Sequence, residues 1–297
     1  MAFSKVYSQL KRYVMRLRLQ GLPIIPALVI LIFVILALFG ESLAPYPPTQ
    51  VHMSEALVPP FWQEGGTMTY PLGTDMVGRD MLSRLIVGAR PSFIVAMLSI
   101  AAGGLIGAAL GIISGYLGGK VDAVLMRAAD ATLAFPIILL AMLLAIVLGP
   151  SVRNVVVALS VILWARYARV IRGETLSLKE LDYVLMAKVN GASGLRIMLL
   201  HIFPNVRNTL LVLMTLQVGW CIILEASLSF LGAGIPGPQP VWGSMISKGR
   251  DYLISAWWIS VIPGIAVALV CLSFNMMGDW LREVLDPRLR QVFRGAA

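Results

Sequence analysis

Residues 93–116 read FIVAMLSIAAGGLIGAALGIISGY, without one charged side chain. As a helix rising 1.5 Å per residue, this run extends about 36 Å, enough to cross a hydrocarbon core of about 30 Å. Five more apolar runs accompany it, at 22–39, 131–148, 155–171, 209–232 and 256–277. The chain as a whole has 297 residues, 58% of them hydrophobic and 13% charged. An average soluble domain carries about 25% charged residues, so an ordinary water-soluble globule is excluded. Disorder is excluded too, because it requires low hydrophobicity and high charge density. The sequence therefore predicts an all-α, polytopic membrane protein of six transmembrane helices with both termini on one side.

The side follows from Lys and Arg. With the N-terminus inside, 18 of the 24 fall in the tails and inner loops, among them Lys5, Lys11, Arg12, Arg16 and Arg18 ahead of the first run. Short-loop basic residues mark the cytoplasmic face, which makes both termini cytoplasmic and the protein a multi-pass component of the cell (inner) membrane. The formal charge of +9 is thereby explained by membrane lipid, and no nucleic-acid partner is expected. The first run exceeds a signal-peptide core of about 7 to 15 residues and reads as an uncleaved anchor. Arg166 and Arg169 interrupt the fourth run and are expected to snorkel from a helix end to the headgroups.

This gives a cytoplasmic tail at 1–21, a first span at 22–39, an extracytoplasmic loop at 40–92, a five-helix core at 93–281 and a cytoplasmic tail at 282–297. Two connections are too long to be turns: the outer loop and an inner loop at 172–208 inside the core. Connections of that length usually carry function. Met81, Leu82, Leu85 and Ile86 recur at helical spacing, which predicts a short amphipathic helix on the outer surface. The inner loop reads as two short helices around Asn190-Gly191-Ala192-Ser193-Gly194. Ala187 and Gly191 leave one face shallow, suited either to a partner surface or to lipid headgroups.

Several side chains stand out within this frame. Gly103, Gly107, Gly111 and Gly115 form a stripe at i, i+4 along one face of the second span, where two backbones can approach closely. The stripe serves either packing within the subunit or a moving contact between subunits. Glu225 is an acid inside an apolar run and near its outer end. It is read as a partly hydrated carboxylate bonded to Ser227, Ser229 or an outer-loop Arg, or, with Ser229, as a gate or outer-face contact. Asp80 and Arg84 are i, i+4 and, with Arg79, predict a solvated ion-pair face. Trp242, Trp257 and Trp258 predict an interfacial belt at the last span, after a connection stiffened by Pro236, Pro238 and Pro240.

Catalytic chemistry has little to stand on. Cys221 and Cys271 lie in apolar runs, and His52 and His201 are the only histidines, so a Cys/His metal cluster is not available. A phosphate-cradling G-x-x-x-x-G-K-[ST] loop is approached only at residues 114–121, which lack its first glycine and final hydroxyl. Any energy-driven process would have to draw on a partner or an ion gradient. An ion-coupled transporter or channel would be expected to carry repeat symmetry or several buried acids, and an intramembrane hydrolase a Ser/His or metal-ligand set at depth.

Ala187, Gly191 and then Phe203-Pro204-Asn205 resemble the cytoplasmic "EAA" loop of ABC importer permeases, although Leu185 and Met186 stand where that pattern has Glu and Ala. Leu72-Gly73-Thr74-Asp75, Gly78-Arg79-Asp80, Ser83-Arg84 and Gly88-Ala89-Arg90 resemble the outer-loop block of permeases for dipeptides, oligopeptides and nickel, in particular the C-type subunit. Glu225 to Gly232, Trp242-Gly243-Ser244-Met245, Phe274-Asn275, Gly278-Asp279 and Leu285-Asp286-Pro287-Arg288-Leu289 follow in the same order as in that subunit type. The resemblance implies a type I ABC importer permease and a non-catalytic subunit. Its partners would be a second permease, two ABC ATPase subunits that bind ATP and magnesium, and an extracytoplasmic solute-binding protein. No cofactor is expected on this chain. Ala187, Gly191, Ala192, Phe203, Pro204 and Asn205 would couple it to the ATPases, and Asp75, Arg79, Asp80 and Arg84 would touch the partner permease or the binding protein. Peptides are the leading cargo, with nickel or another small solute as the alternative.

Overall fold

A computed structural model describes residues 23–285, and among these residues all regular structure is helical. The basic cluster Lys5 to Arg18 and the tail from Asp286 onward lie outside the described residues. The helices are α1 (Ile24–Leu43), α2 (Met81–Leu117), α3 (Gly119–Ala134), α4 (Ile137–Leu148), α5 (Val152–Leu178), α6 (Asp182–Val189), α7 (Gly194–Phe230), α8 (Trp242–Gly249) and α9 (Trp258–Leu285). Five of them, α1, α2, α5, α7 and α9, are long and apolar enough to cross a membrane.

A sixth crossing exists only as a broken one. The run expected at 131–148 is interrupted between α3 and α4, whose axes differ by 95°. Pro136 is the reason: it has no N–H to continue the ladder and holds Phe135 in extended conformation at φ −80°, ψ 143°. The 12 residues of α4 rise only about 18 Å, too little to cross alone.

Helix α2 is central and packs against α1, α5 and α7. Its first turns are the segment expected to form a separate surface helix. Instead, the helix runs unbroken through Pro91 for 37 residues, about 55 Å, so that Met81 to Ser92 project beyond the apolar run. The glycine stripe faces α5. A Cβ at Gly107 would lie 2.5 Å from the Trp164 carbonyl oxygen, and one at Gly111 would lie 2.6 Å from that of Ala168. Gly103 and Gly115 meet Leu163 and Thr175 at 2.8 Å in the same way. The two backbones are therefore in contact along four turns, and the stripe is occupied within this chain. At the end of this seam Arg172 makes a bidentate pair with Asp122 at 2.5 Å, and Asp122 also accepts from Ser114.

Helix α5 continues to Leu178, seven residues past the expected end. Arg166 therefore sits in the interior of the helix, while Arg169 is paired with Asp130 of α3. The tryptophans also depart from expectation. Trp242 and Trp258 are buried, and their indole N–H groups donate to the carbonyls of Leu85 (2.9 Å) and Thr74 (3.0 Å). Buried indoles seek such acceptors, and here they fasten α8 and α9 to the outer segment rather than forming a lipid-facing belt. Phe33 of α1 packs among Phe93, Trp242 and Phe274.

Candidate functional site

The inner loop builds a rigid hairpin from local chemistry. Helix α6 ends in a Schellman turn: the Gly191 N–H donates to Lys188 O (3.1 Å) and the Ala192 N–H to Ala187 O (3.0 Å). Gly191 takes φ +80°, the left-handed conformation that this turn requires and that side chains disfavour. A Cβ there would meet nothing within 4 Å, so the glycine serves backbone geometry and not close docking within this chain. Ser193 then caps α7 through the Arg196 N–H.

The expected second short helix is the first part of α7, which runs through Pro204 without a break. Proline at that position clashes with the carbonyl four residues earlier and lacks its own N–H. The helix adapts by widening into a π-turn over Met198–Ile202, closed by the Phe203 N–H on Met198 O. Asn205 ties the hairpin together, its amide donating to His201 O (2.6 Å) and to the Tyr183 hydroxyl (3.1 Å). Gly194 lies against the Tyr116 ring at the end of α2, where a Cβ would come within 3.1 Å.

Val184, Ile197, Ile202 and Val206 anchor the hairpin in the core. Its other face presents Tyr183, Leu185, Met186, Val189, Leu195 and Leu199 to the exterior, Val189 with 81% of its surface exposed. Ala187 and Ala192 are half-buried, and Phe203, Pro204 and Asn205 are exposed. A contiguous apolar face on a rigid, backbone-locked hairpin is suited to receiving another protein.

At the far end of the bundle the expected ion-pair face is inverted. Asp75, not Asp80, is the acid that the arginines share: Oδ2 is 2.7 Å from Arg79 Nε and 3.6 Å from Arg84 Nε. Oδ1 of Asp75 accepts the N–H groups of Val77 and Arg79. Asp80 caps α2, accepting from the Ser83 N–H and hydroxyl. Arg84 also donates to Pro48 O at 2.8 Å. Asp75, Asp80 and Arg84 are 2–3% exposed, so they pin the outer segment to α2 and offer no surface to a separate protein. Burial and the neighbouring Arg79 and Arg84 guanidiniums hold the Lys248 ammonium below its usual pKa. In the same segment Tyr70 donates to Glu55, which raises the phenol to about 12.

Glu225 is fully buried, where a partly hydrated carboxylate was expected. Its oxygens accept from Ser92 of α2 and Ser229 of α7, each at 2.8 Å. Ser227 bonds instead to Ile223 O, and no arginine among the described residues reaches the carboxylate. One grouping was not anticipated from the sequence: Arg166, Gln217 and Trp220 meet where α5 and α7 cross. The signal for it was the charge inside the fourth run; its partners, some 50 residues away, required the packing.

A multi-pass helical bundle carrying a rigid hairpin with an exposed apolar face is the build expected of a membrane transport permease. The family model described as "Binding-protein-dependent transport system inner membrane component" matches residues 107–291, and the chain belongs to that family. It is 41% identical over 266 residues to the dipeptide transport system permease protein DppC of Haemophilus influenzae, covering 88% of this chain and 89% of that one. It is 39% identical over 263 residues to the di/tripeptide transport system permease protein DppC of Pseudomonas aeruginosa, covering 89% and 87%. To the dipeptide transport system permease protein DppC of Escherichia coli K12 it is 42% identical over 262 residues, covering 88% and 87%.

Proposed function

We propose that this chain is one of two permease subunits of an ATP-driven importer in the inner membrane, and that the cargo is a di- or oligopeptide handed over by an extracytoplasmic binding protein. Two ATPase subunits, holding ATP and magnesium, would dock on the cytoplasmic hairpin α6–Gly191–α7. The observation that carries this reading is the hairpin itself. Its apolar face is presented outward, its turn is locked by backbone hydrogen bonds, and it continues without a joint into the 37-residue helix α7. A push on Met186 or Val189 is thereby delivered to a helix long enough to span the bilayer, as rigid-body motion between inward-open and outward-open states requires. The identity to dipeptide and di/tripeptide permeases supports peptide as the cargo. Basic-residue bias supports the cytoplasmic placement of the hairpin.

The test is reconstitution of the complete assembly in vesicles, with ATP hydrolysis and uptake of a radiolabelled dipeptide measured together. Hydrolysis that rises with loaded binding protein, and uptake that needs ATP, are expected. Uptake by this chain alone would overturn the reading.

A further inference from the structure

Arg166 occupies a position where a charge is costly. It stands 14 residues from Val152 and 12 from Leu178, with about 18–21 Å of helix on either side. Its Nη1 donates to Gln217 Oε1 at 3.2 Å, and its guanidinium carbon lies 5.1 Å from the centroid of the Trp220 ring. Gln217 is likewise in mid-helix, 13 residues from Phe230. Both partners are neutral, so they hold the guanidinium in place without cancelling its charge. Arg169 and Arg172, on the next two turns, are each paired with an aspartate. Among the described residues Arg166 has no carboxylate within ion-pair distance, and it is exposed on the surface of the chain.

Facing lipid at the helix centre would cost about 2.5–3.5 kcal/mol, which is why such residues turn toward water-filled cavities or other charges. The neighbouring surface agrees. Trp220, Ile223 and Ser227 share one face of α7, and one to two turns beyond Trp220 an open cleft of about 400 Å³ is lined by Ile223, Ser227, Ile138, Phe230 and Ile246, with Arg166, Gln217 and Trp220 outside its lining. This is the size of a small-ligand site, apolar apart from Ser227. A guanidinium has five N–H donors in a planar fork that fits a carboxylate bidentately, and one of these is engaged by Gln217.

We propose that Arg166, held by Gln217 and Trp220, lines the translocation path and receives the terminal carboxylate of the peptide in transit. This rests on the peptide-import reading above. Because Gln217 and Trp220 partly occupy the guanidinium, the cargo is held but not trapped, which throughput demands.

The test uses the complete importer in vesicles. Arg166→Gln is expected to lower dipeptide uptake at least tenfold while the subunits still co-purify. Arg166→Lys should give an intermediate rate, since an ammonium keeps the charge without the fork. Arg153→Gln, at the exposed start of α5, should leave uptake unchanged. Arg166→Cys should react with a membrane-impermeant, negatively charged thiosulfonate, and excess peptide with loaded binding protein should slow that reaction. Normal uptake by Arg166→Gln, or no labelling of Arg166→Cys, overturns the proposal. Loss of co-purification in Arg166→Gln overturns it as well, by assigning Arg166 to an acid of the partner permease. A wild-type importer that takes up no peptide overturns the peptide reading and the ligand named here, whereas labelling still reports whether position 166 faces water.

Discussion

The Ser92 hydroxyl donates a 2.8 Å hydrogen bond to the Glu225 carboxylate, fastening α2 to α7 across 133 residues of sequence. Ser229 donates to the other oxygen, so the acid is satisfied without a cation. Glu225→Gln keeps an acceptor for one serine, and the second hydroxyl can turn to accept from the amide. It is therefore expected to assemble and transport near wild-type rates. Glu225→Ala leaves two buried hydroxyls without their acceptor and a cavity, at a cost of about 2–4 kcal/mol. Thermal unfolding in detergent separates the two; equal melting temperatures would remove the structural role.

The seam between α2 and α5 makes a sharper prediction because the clash is with backbone. Gly107→Ala and Gly111→Ala place a methyl 2.5–2.6 Å from α5 carbonyl oxygens and should destabilise by about 1–3 kcal/mol, and leucine at either site should abolish accumulation in the membrane. Gly264→Ala in α9 meets nothing within 4 Å and serves as the control; it should be neutral or slightly stabilising, since alanine is the better helix former. Membrane yield and melting temperature report both.

At the hairpin, space and backbone conformation separate cleanly. Gly191→Asn, which tolerates the left-handed region, should leave coupling nearly intact. Gly191→Val should lose the Schellman turn at a cost of about 1–2 kcal/mol or more, because open space does not relieve a strained φ. The readout is ATP hydrolysed per peptide imported, expected to rise several-fold in the valine variant while the chain still inserts. An unchanged ratio would argue that the turn does not transmit force.

In the outer segment, Asp75→Ala removes the shared acid and leaves Arg84 buried and uncompensated, which typically costs about 3–5 kcal/mol. The expected result is faster protease cleavage between residues 44 and 80, where the chain is held by Asp75, Thr74 and Arg84. Arg79→Gln, whose side chain is 13% exposed and lies at the margin of the cluster, should be cleaved more slowly than Asp75→Ala.

Hydropathy, basic-residue bias and motif order are properties of short stretches, so the helical membrane architecture and the transport class were legible without coordinates. Prolines in or beside the apolar runs were visible too, yet three of them behaved differently. Pro136 broke its run, whereas α2 passed through Pro91 unbroken and α7 absorbed Pro204 by widening into a π-turn. Which outcome holds depends on whether neighbouring helices support the continuation.

Partnership between polar groups emerged only from the packed helices. Sequence spacing offered Asp80 to Arg84, but the fold gave Arg84 to Asp75 and used Asp80 as a cap. Spacing along one helix cannot reveal that Trp242 and Trp258 find carbonyl acceptors 157 and 184 residues away and so turn inward. The neutral company Arg166 keeps likewise followed from what α7 brings beside it. Local patterns fix which segments leave water, because burial of apolar surface is additive along the chain; pairing of the polar groups carried with them is set by contacts between distant segments, and those exist only once the helices have packed.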